Sequence, residues 1–388
     1  MEAKSQELEE VTIEVSPFKE KEESPVSMRT LTVSEIEKNP GANRDISRVI
    51  QAFPGVASSV SFRNDVIVRG GGPAENSFYL DGIEIPNINH FATQGASGGP
   101  VGIINVDFIR EVDLYSGAFP ANLGGAVSSV LDLQQVNGNK EDFSARATLG
   151  ASDLAVTLNG PISDNTSLIF SARRSYLQFL FDIIGLPFLP VYNDFQFKTK
   201  TRIDKKNELS FIGLGAIDNF SLNTGLEDPD EEQQYILRET PVNEQWNYTV
   251  GAIYRHYGEK GYTSIYLSRN MLNNSAYKYP ENDESKSKNL DLTSQEIENK
   301  LRVEQNERRN GYKLIYGGGI EYAKFNNELF QKVFLPAGIE DTLDYSSELT
   351  MFKWEAFAQV SKKYLDEKLT LSLGTRMDAT DYSSSLSN

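Results

Sequence analysis

The sequence predicts a small α+β domain followed by antiparallel strands of a transmembrane β-barrel. Three observations predict it. Helix-period and strand-period segments are mixed up to about Leu133, and strand period stands almost alone from Phe143 onward. The later segments run roughly ten residues with a period of two, the pattern of barrel strands that cross a bilayer. The connections between them alternate short and long. A soluble sandwich has no reason for that, whereas a membrane barrel has short turns at one rim and long loops at the other.

The elements follow in order. Residues 1–30 form an extended acidic segment, with a short β-branched run at Val11–Val15 between charged stretches. Such a run suits strand addition to a partner's sheet edge. Residues 31–135 form the mixed domain. Ser34 with Glu37 reads as a capping box. Ile46, Val49, Ile50 and Phe53 give one apolar helix face, which Pro54-Gly55 ends. Val66–Val68 is a strand leading into Gly70-Gly71-Gly72, a turn that needs positive φ. Phe78–Ile85 is a hairpin on Asp81-Gly82, the pair that a type I′ turn prefers. Two further strands lie at Glu111–Tyr115 and Val127–Leu133.

Residues 136–388 form the partial barrel. Short turns are expected near Pro161–Ser167, Asp204–Asn207, Tyr257–Gly261, Glu307–Asn310 and Leu365–Lys368. Long loops are expected at Leu177–Asp194, Asn219–Gln245, Met271–Leu292 and Lys324–Thr350. Alternation places Phe195, Phe197, Trp246, Trp354 and Leu371 toward lipid, and Lys198, Lys200, Lys353 and Glu355 toward the lumen. Trp354 is expected near the bilayer middle.

Composition excludes several classes. There are 55 acidic and 38 basic side chains, a net charge of −17. A nucleic-acid backbone needs a basic footprint, so nucleic acid is not expected as a partner. Cysteine is absent and only His90 and His256 are present. That removes disulfide scaffolds, Cys-ligated zinc and thiol nucleophiles, and no HExxH motif exists. Gly95–Gly99 matches the G-x-S-x-G elbow, but a Gly/Ser loop reading wins because no apolar strand precedes it and no helix follows. The carboxylates of Asp228–Glu232 lack EF-hand order and read as a solvated loop. No catalytic residue, metal ligand or cofactor is expected.

The stretches DISRVIQAFPGV (Asp45–Val56), VIVRGGGPAENSFYLDGIEIPNINHF (Val66–Phe91) and REVDLYSGAFPANLGGAVSSVLDL (Arg110–Leu133) together resemble the plug of TonB-dependent outer-membrane receptors, most nearly of the Bacteroidetes type. The resemblance covers Leu31–Leu133 closely and the remainder through its topology. It implies a Gram-negative outer-membrane location, with lipid around the strands, and a 22-stranded plugged barrel. About eleven strands are legible here, so the sequence is expected to be a fragment, plug plus first barrel half. The implied function is active import of a scarce ligand, a siderophore, cobalamin, glycan or peptide, energised by the TonB–ExbB–ExbD complex. A surface lipoprotein is a further partner of such receptors. The alternative is an adhesin or signalling receptor that binds without transport. Glu10, Val11, Thr12, Ile13, Glu14 and Val15 stand where the family places its TonB box, the other reading being the last strand of an accessory domain. Asn87, Asn89, His90, Phe91 and Gln94 correspond to the outward-facing plug apex. Their amide, imidazole and aromatic groups suit a polar ligand with some apolar surface.

Overall fold

The computed structural model describes residues 22, 28–39, 45–57, 63–93, 98–150, 152–335 and 339–384. Glu10–Val15, Gln94 and Gly95–Ser97 lie outside them.

The first unit is built on a five-stranded sheet of order β1-β6-β7-β4-β5. Its strands are β1 (Met28–Thr32), β4 (Asn76–Leu80), β5 (Ile83–Ile85), β6 (Ile109–Tyr115) and β7 (Ser129–Gln135), while β2 (Val56–Ala57) and β3 (Ile67–Val68) form a separate pair. Strand β4 runs parallel to β7, and the other neighbours are antiparallel. Helix α1 (Val33–Lys38) is capped by Thr32 with Glu35, whose carboxylate accepts from the Thr32 backbone N–H at 2.7 Å. The box therefore sits two residues before the expected Ser34–Glu37 pair, because β1 runs on to Thr32 and the helix starts immediately after it. Helix α2 (Ile46–Gln51) buries Ile46, Val49 and Ile50 against the sheet, and Asp45 caps it by accepting from Ser47 N–H at 2.8 Å. The β4–β5 hairpin turns on Asp81 (φ 52°) and Gly82 (φ 87°), the left-handed pair that a two-residue I′ loop requires.

The second unit is one antiparallel sheet of eleven strands in chain order. They are β8 (Ser144–Leu149), β9 (Asp153–Ser163), β10 (Thr166–Ser175), β11 (Phe188–Arg202), β12 (Asn207–Leu222), β13 (Val242–Tyr257), β14 (Gly261–Lys278), β15 (Leu290–Arg309), β16 (Tyr312–Leu335), β17 (Ile339–Tyr364) and β18 (Leu369–Thr380). Helix α3 (Leu177–Ile183) lies between β10 and β11, and α4 (Glu231–Glu239) between β12 and β13. The acidic run before α4 has a structural use: Asp230 caps the helix and accepts from Gln233 N–H.

The five short turns fall where expected, but two of the long loops are shorter than expected: the one at Met271–Leu292 shrinks to residues 279–289, and most of Lys324–Thr350 is ladder. Between β16 and β17 the ladder continues unbroken from Lys324↔Thr350 to Leu335↔Ile339. Likewise β14 and β15 pair up to Lys278↔Leu290. These stretches are strand-prone, and a ribbon continues wherever two such chains stay in register, whether or not lipid surrounds it. Gly317–Gly319 accommodates close neighbours in its own sheet. A Cβ at Gly317 would stand 2.8 Å from Phe357 Cζ, and one at Gly319 2.9 Å from Glu355 Oε1.

Face assignment follows the pleat. Phe195, Trp246, Trp354 and Leu371 are exposed, whereas Gln196 and Lys198 are buried on the opposite face. On β17 the outward series ends in Phe352 and Trp354 at one end and Tyr364 at the other. Ten residue steps at about 3.4 Å each, tilted about 45°, span roughly 25 Å, the height of an outer-membrane apolar band. A band of that height set between these aromatics would put Trp354 in an interfacial girdle and Ala358 near the middle. At the opposite girdle Lys362 Nζ lies 4.1 Å from the Tyr312 ring centroid and 5.0 Å from that of Tyr364. No helix among the described residues is long and apolar enough to cross a membrane.

Candidate functional site

The first unit packs into the inward face of the wall. Ile212, Leu214 and Ala216 of β12, Ile253 of β13 and Tyr266 of β14 belong to the same apolar core as Ile83, Ile85 and Val112. The approach is close enough that β13 needs a glycine: a Cβ at Gly251 would stand 2.2 Å from Ile83 Cδ1.

Polar contacts surround this seam. At the hairpin tip Lys198 Nζ pairs with Asp81 Oδ2 at 2.9 Å, and Arg302 Nη2 donates to Gly82 O at 2.6 Å. Beside it Lys300 holds Glu84 at 2.6 Å and Glu298 at 2.9 Å. Farther along, Ala121 N–H donates to Gln359 Oε1 at 2.7 Å, and Asn122 Nδ2 to Glu304 Oε2 at 3.0 Å.

A cluster of buried charges lies at the rim where the chain carries its long loops. His90 Nδ1 is 2.6 Å from Asp218 Oδ1 and its Nε2 is 2.9 Å from Asp194 Oδ2. Asp194 is on β11 and Asp218 on β12, and none of the three side chains is more than 2% exposed. The second Asp218 oxygen accepts from Phe91 N–H at 2.8 Å. Arg173 of β10 completes the set, 2.8 Å from Asp194 through Nη2, which also donates to Gly102 O at 2.7 Å. An ionised carboxylate only accepts, so a ring flanked by two of them donates from both nitrogens and is an imidazolium. Burial by itself lowers the His90 pKa. The charge of Asp218 and the hydrogen bonds and charge of Asp194 outweigh it, and the net shift is upward from the ordinary 6.5. The His90 and Arg173 cations then face the two aspartates, and of the four side chains only that of Arg173 reaches solvent appreciably. Tyr192 packs on the imidazole with ring centroids 4.3 Å apart.

The loop carrying His90 is held from behind. His90 N–H donates to Val101 O at 2.7 Å, and Ile103 N–H to Ile88 O at 2.9 Å. Asn89 Oδ1 accepts from Ser47 Oγ at 2.8 Å, which ties the loop to α2. Gly99 makes this pairing possible, since a Cβ there would lie 1.4 Å from the His90 carbonyl oxygen. Of the residues expected at the apex, Asn87, Asn89 and His90 are buried, Phe91 is half-buried, and Gln94 is outside the described residues. Nothing in the sequence singled out Asp194, Asp218 or Arg173. They sit at inward positions of three different strands, and only the register brings them to one imidazole. Among the described residues no group of three or more His, Cys, Asp or Glu side chains is arranged to hold a metal.

Residues 20–130 match the family model described as the TonB-dependent Receptor Plug Domain. No curated protein matches the chain. Solved structures do. A mutant of the ferric enterobactin receptor PfeA of Pseudomonas aeruginosa has a TM-score of 0.65 at 17% identity, over 92% of this chain and 57% of that one. The siderophore receptor PirA of Acinetobacter baumannii has a TM-score of 0.63 at 13% identity, again over 92% and 57%. The outer membrane transporter YddB of Escherichia coli has a TM-score of 0.61 at 14% identity, with the same coverage. At these identities the likeness is one of fold, and the chain spans 57% of the length of these structures. Residues 20–130 are thus a TonB-dependent receptor plug domain, and it is seated against strands with the fold of outer-membrane receptor barrels.

Proposed function

We propose that the chain forms the gated core of an importer that draws a scarce ligand across the outer membrane with work delivered by TonB. The observation that carries this reading is the plug's attachment to the wall at both ends, through the His90–Asp194–Asp218–Arg173 cluster at one rim and the Asp81–Gly82 tip toward the other. Breaking a buried ion pair costs about 3–5 kcal/mol, so such a plug does not leave its seat unaided. The periplasm holds no ATP, which leaves the inner-membrane proton gradient, coupled through the TonB–ExbB–ExbD complex, as the source of work. In this reading ligand is received at the apex loop of Asn87 to Phe91 and Gln94, with His90 anchoring the loop from below. Glu10–Val15 is the segment that pairs with TonB as an added strand.

The test is uptake by cells producing the receptor, with labelled ferric siderophores, cobalamin, glycans and peptides scored separately for surface binding and for accumulation. Accumulation of one ligand should need TonB and the proton gradient, while surface binding should need neither. Binding with no TonB-dependent accumulation would replace this reading with that of an adhesin or signalling receptor.

A further inference from the structure

Asn87 is only 3% exposed, yet neither its Oδ1 nor its Nδ2 has a hydrogen-bond partner. It lines a chamber of about 220 Å³ between the plug and the inward faces of β14 and β15. Two more buried amides approach from β13. Asn247 Nδ2 and Gln245 Oε1 are unpartnered as well. Asn247 lies directly across the ladder from Leu272, which lines the chamber. A buried polar atom left unpaired costs about 1–3 kcal/mol, and native interiors hold few of them. The two on Asn87 face the chamber and represent hydrogen-bonding capacity that the fold itself does not use.

The rest of the lining indicates what would use it. Phe78, Ile85 and Leu272 supply an apolar wall. Glu84, Glu296 and Glu298 supply three carboxylates, and the lining contains no Lys or Arg. Lys300, outside the lining, pairs with both Glu84 and Glu298, yet three carboxylates against one cation leave the wall net negative and unfavourable to an anionic group. Amides offer donors and acceptors together, the pairing that a hydroxyl group, itself both donor and acceptor, satisfies.

We propose that this chamber is a ligand subsite for a neutral polyhydroxyl group, such as one sugar unit, with its C–H face on the apolar wall and a hydroxyl on Asn87. The volume is below the roughly 300–1,000 Å³ of a pocket that takes a whole small ligand, so the chamber holds one end of a longer one. The proposal rests on the reading that ligand is received at the plug apex, and it narrows the ligand to a neutral glycan rather than an anionic iron chelate.

Equilibrium binding to the purified receptor tests it, with labelled maltohexaose, cellohexaose and mannohexaose set against oligogalacturonate and a ferric catecholate complex. At least one neutral oligosaccharide should bind, and Asn87→Ala should weaken it about threefold to tenfold. Asn87→Leu should lose the binding and raise the Tm, because an isosteric apolar side chain removes the unpaired amide. An asparagine kept for structure would lower the Tm instead. The proposal falls if none of the neutral probes binds, if only an anionic probe binds, or if Asn87→Leu binds sugar normally. Asn87-dependent sugar binding without TonB-dependent accumulation would overturn the import reading and leave the subsite standing. TonB-dependent accumulation of an anionic ligand, indifferent to Asn87, would do the reverse.

Discussion

His90 shows how one side chain joins two independently built units. Its loop is shaped by plug residues alone, but its charge is balanced only by the wall. His90→Ala strands Asp218 with a single backbone donor and should destabilise the folded protein by about 3–5 kcal/mol in denaturant unfolding. The double variant His90→Leu with Asp218→Leu should cost clearly less than the sum of the two single changes, since it removes both charges together. The pH dependence has a definite sign. A folded-state pKa raised above the ordinary 6.5 means that the tether's contribution is complete below that value and is lost as pH rises through the raised one. Unfolding midpoints of the native protein should fall on the alkaline side, and His90→Gln should flatten that slope. The sequence already singled out His90 and its amide neighbours. It did not show that His90 would be fully enclosed, because enclosure depends on residues more than a hundred positions away.

Among the elements, the strands were the most legible, because a period of two survives in each of them and the short turns punctuate it. Their ends were less legible, because a ribbon running past the bilayer keeps the same pattern. The β17 register makes a graded expectation. Ala358→Arg, at mid-depth on the outward face, should cost about 2–4 kcal/mol in unfolding from lipid vesicles, whereas the charge added by Trp354→Arg at the girdle should cost about 0–1 kcal/mol. Equal penalties would mean that the depth assignment is wrong. The segment Glu10–Val15 allows an expectation of a different kind. A strand partner reads backbone N–H and C=O groups, so Ile13→Ala should do little. Ile13→Pro removes a donor and fixes φ, and it should abolish uptake while leaving surface binding intact. Loss of binding as well would make the segment part of an accessory domain.

For the molecule as a whole, transport requires that plug and wall part, and the absence of cysteine makes this directly testable. A Cβ built at Gly374 of β18 lies 3.1 Å from Ala121 Cβ in the plug. A disulfide needs about 3.5–4.5 Å, which a small local shift supplies. The pair Ala121→Cys with Gly374→Cys should therefore crosslink on oxidation, seen as a mobility shift in non-reducing gels. The oxidised receptor should bind ligand but accumulate none, and reductant should restore uptake. Full uptake in the crosslinked state would mean that this side of the plug does not move.

The sequence by itself determined the two kinds of architecture, the type I′ hairpin, the apolar face of α2, the inward and outward faces of the strands and the strict order of short turns. Each of these rests on neighbours within a few residues, where propensity and periodicity act. The tertiary structure alone decided which wall residues meet the plug, where the bilayer falls along β17, and that Asn87 faces a chamber it cannot satisfy. Those depend on the register between strands and on the seating of one unit in another. Both are set by the summed fit of many distant side chains, which no local pattern records.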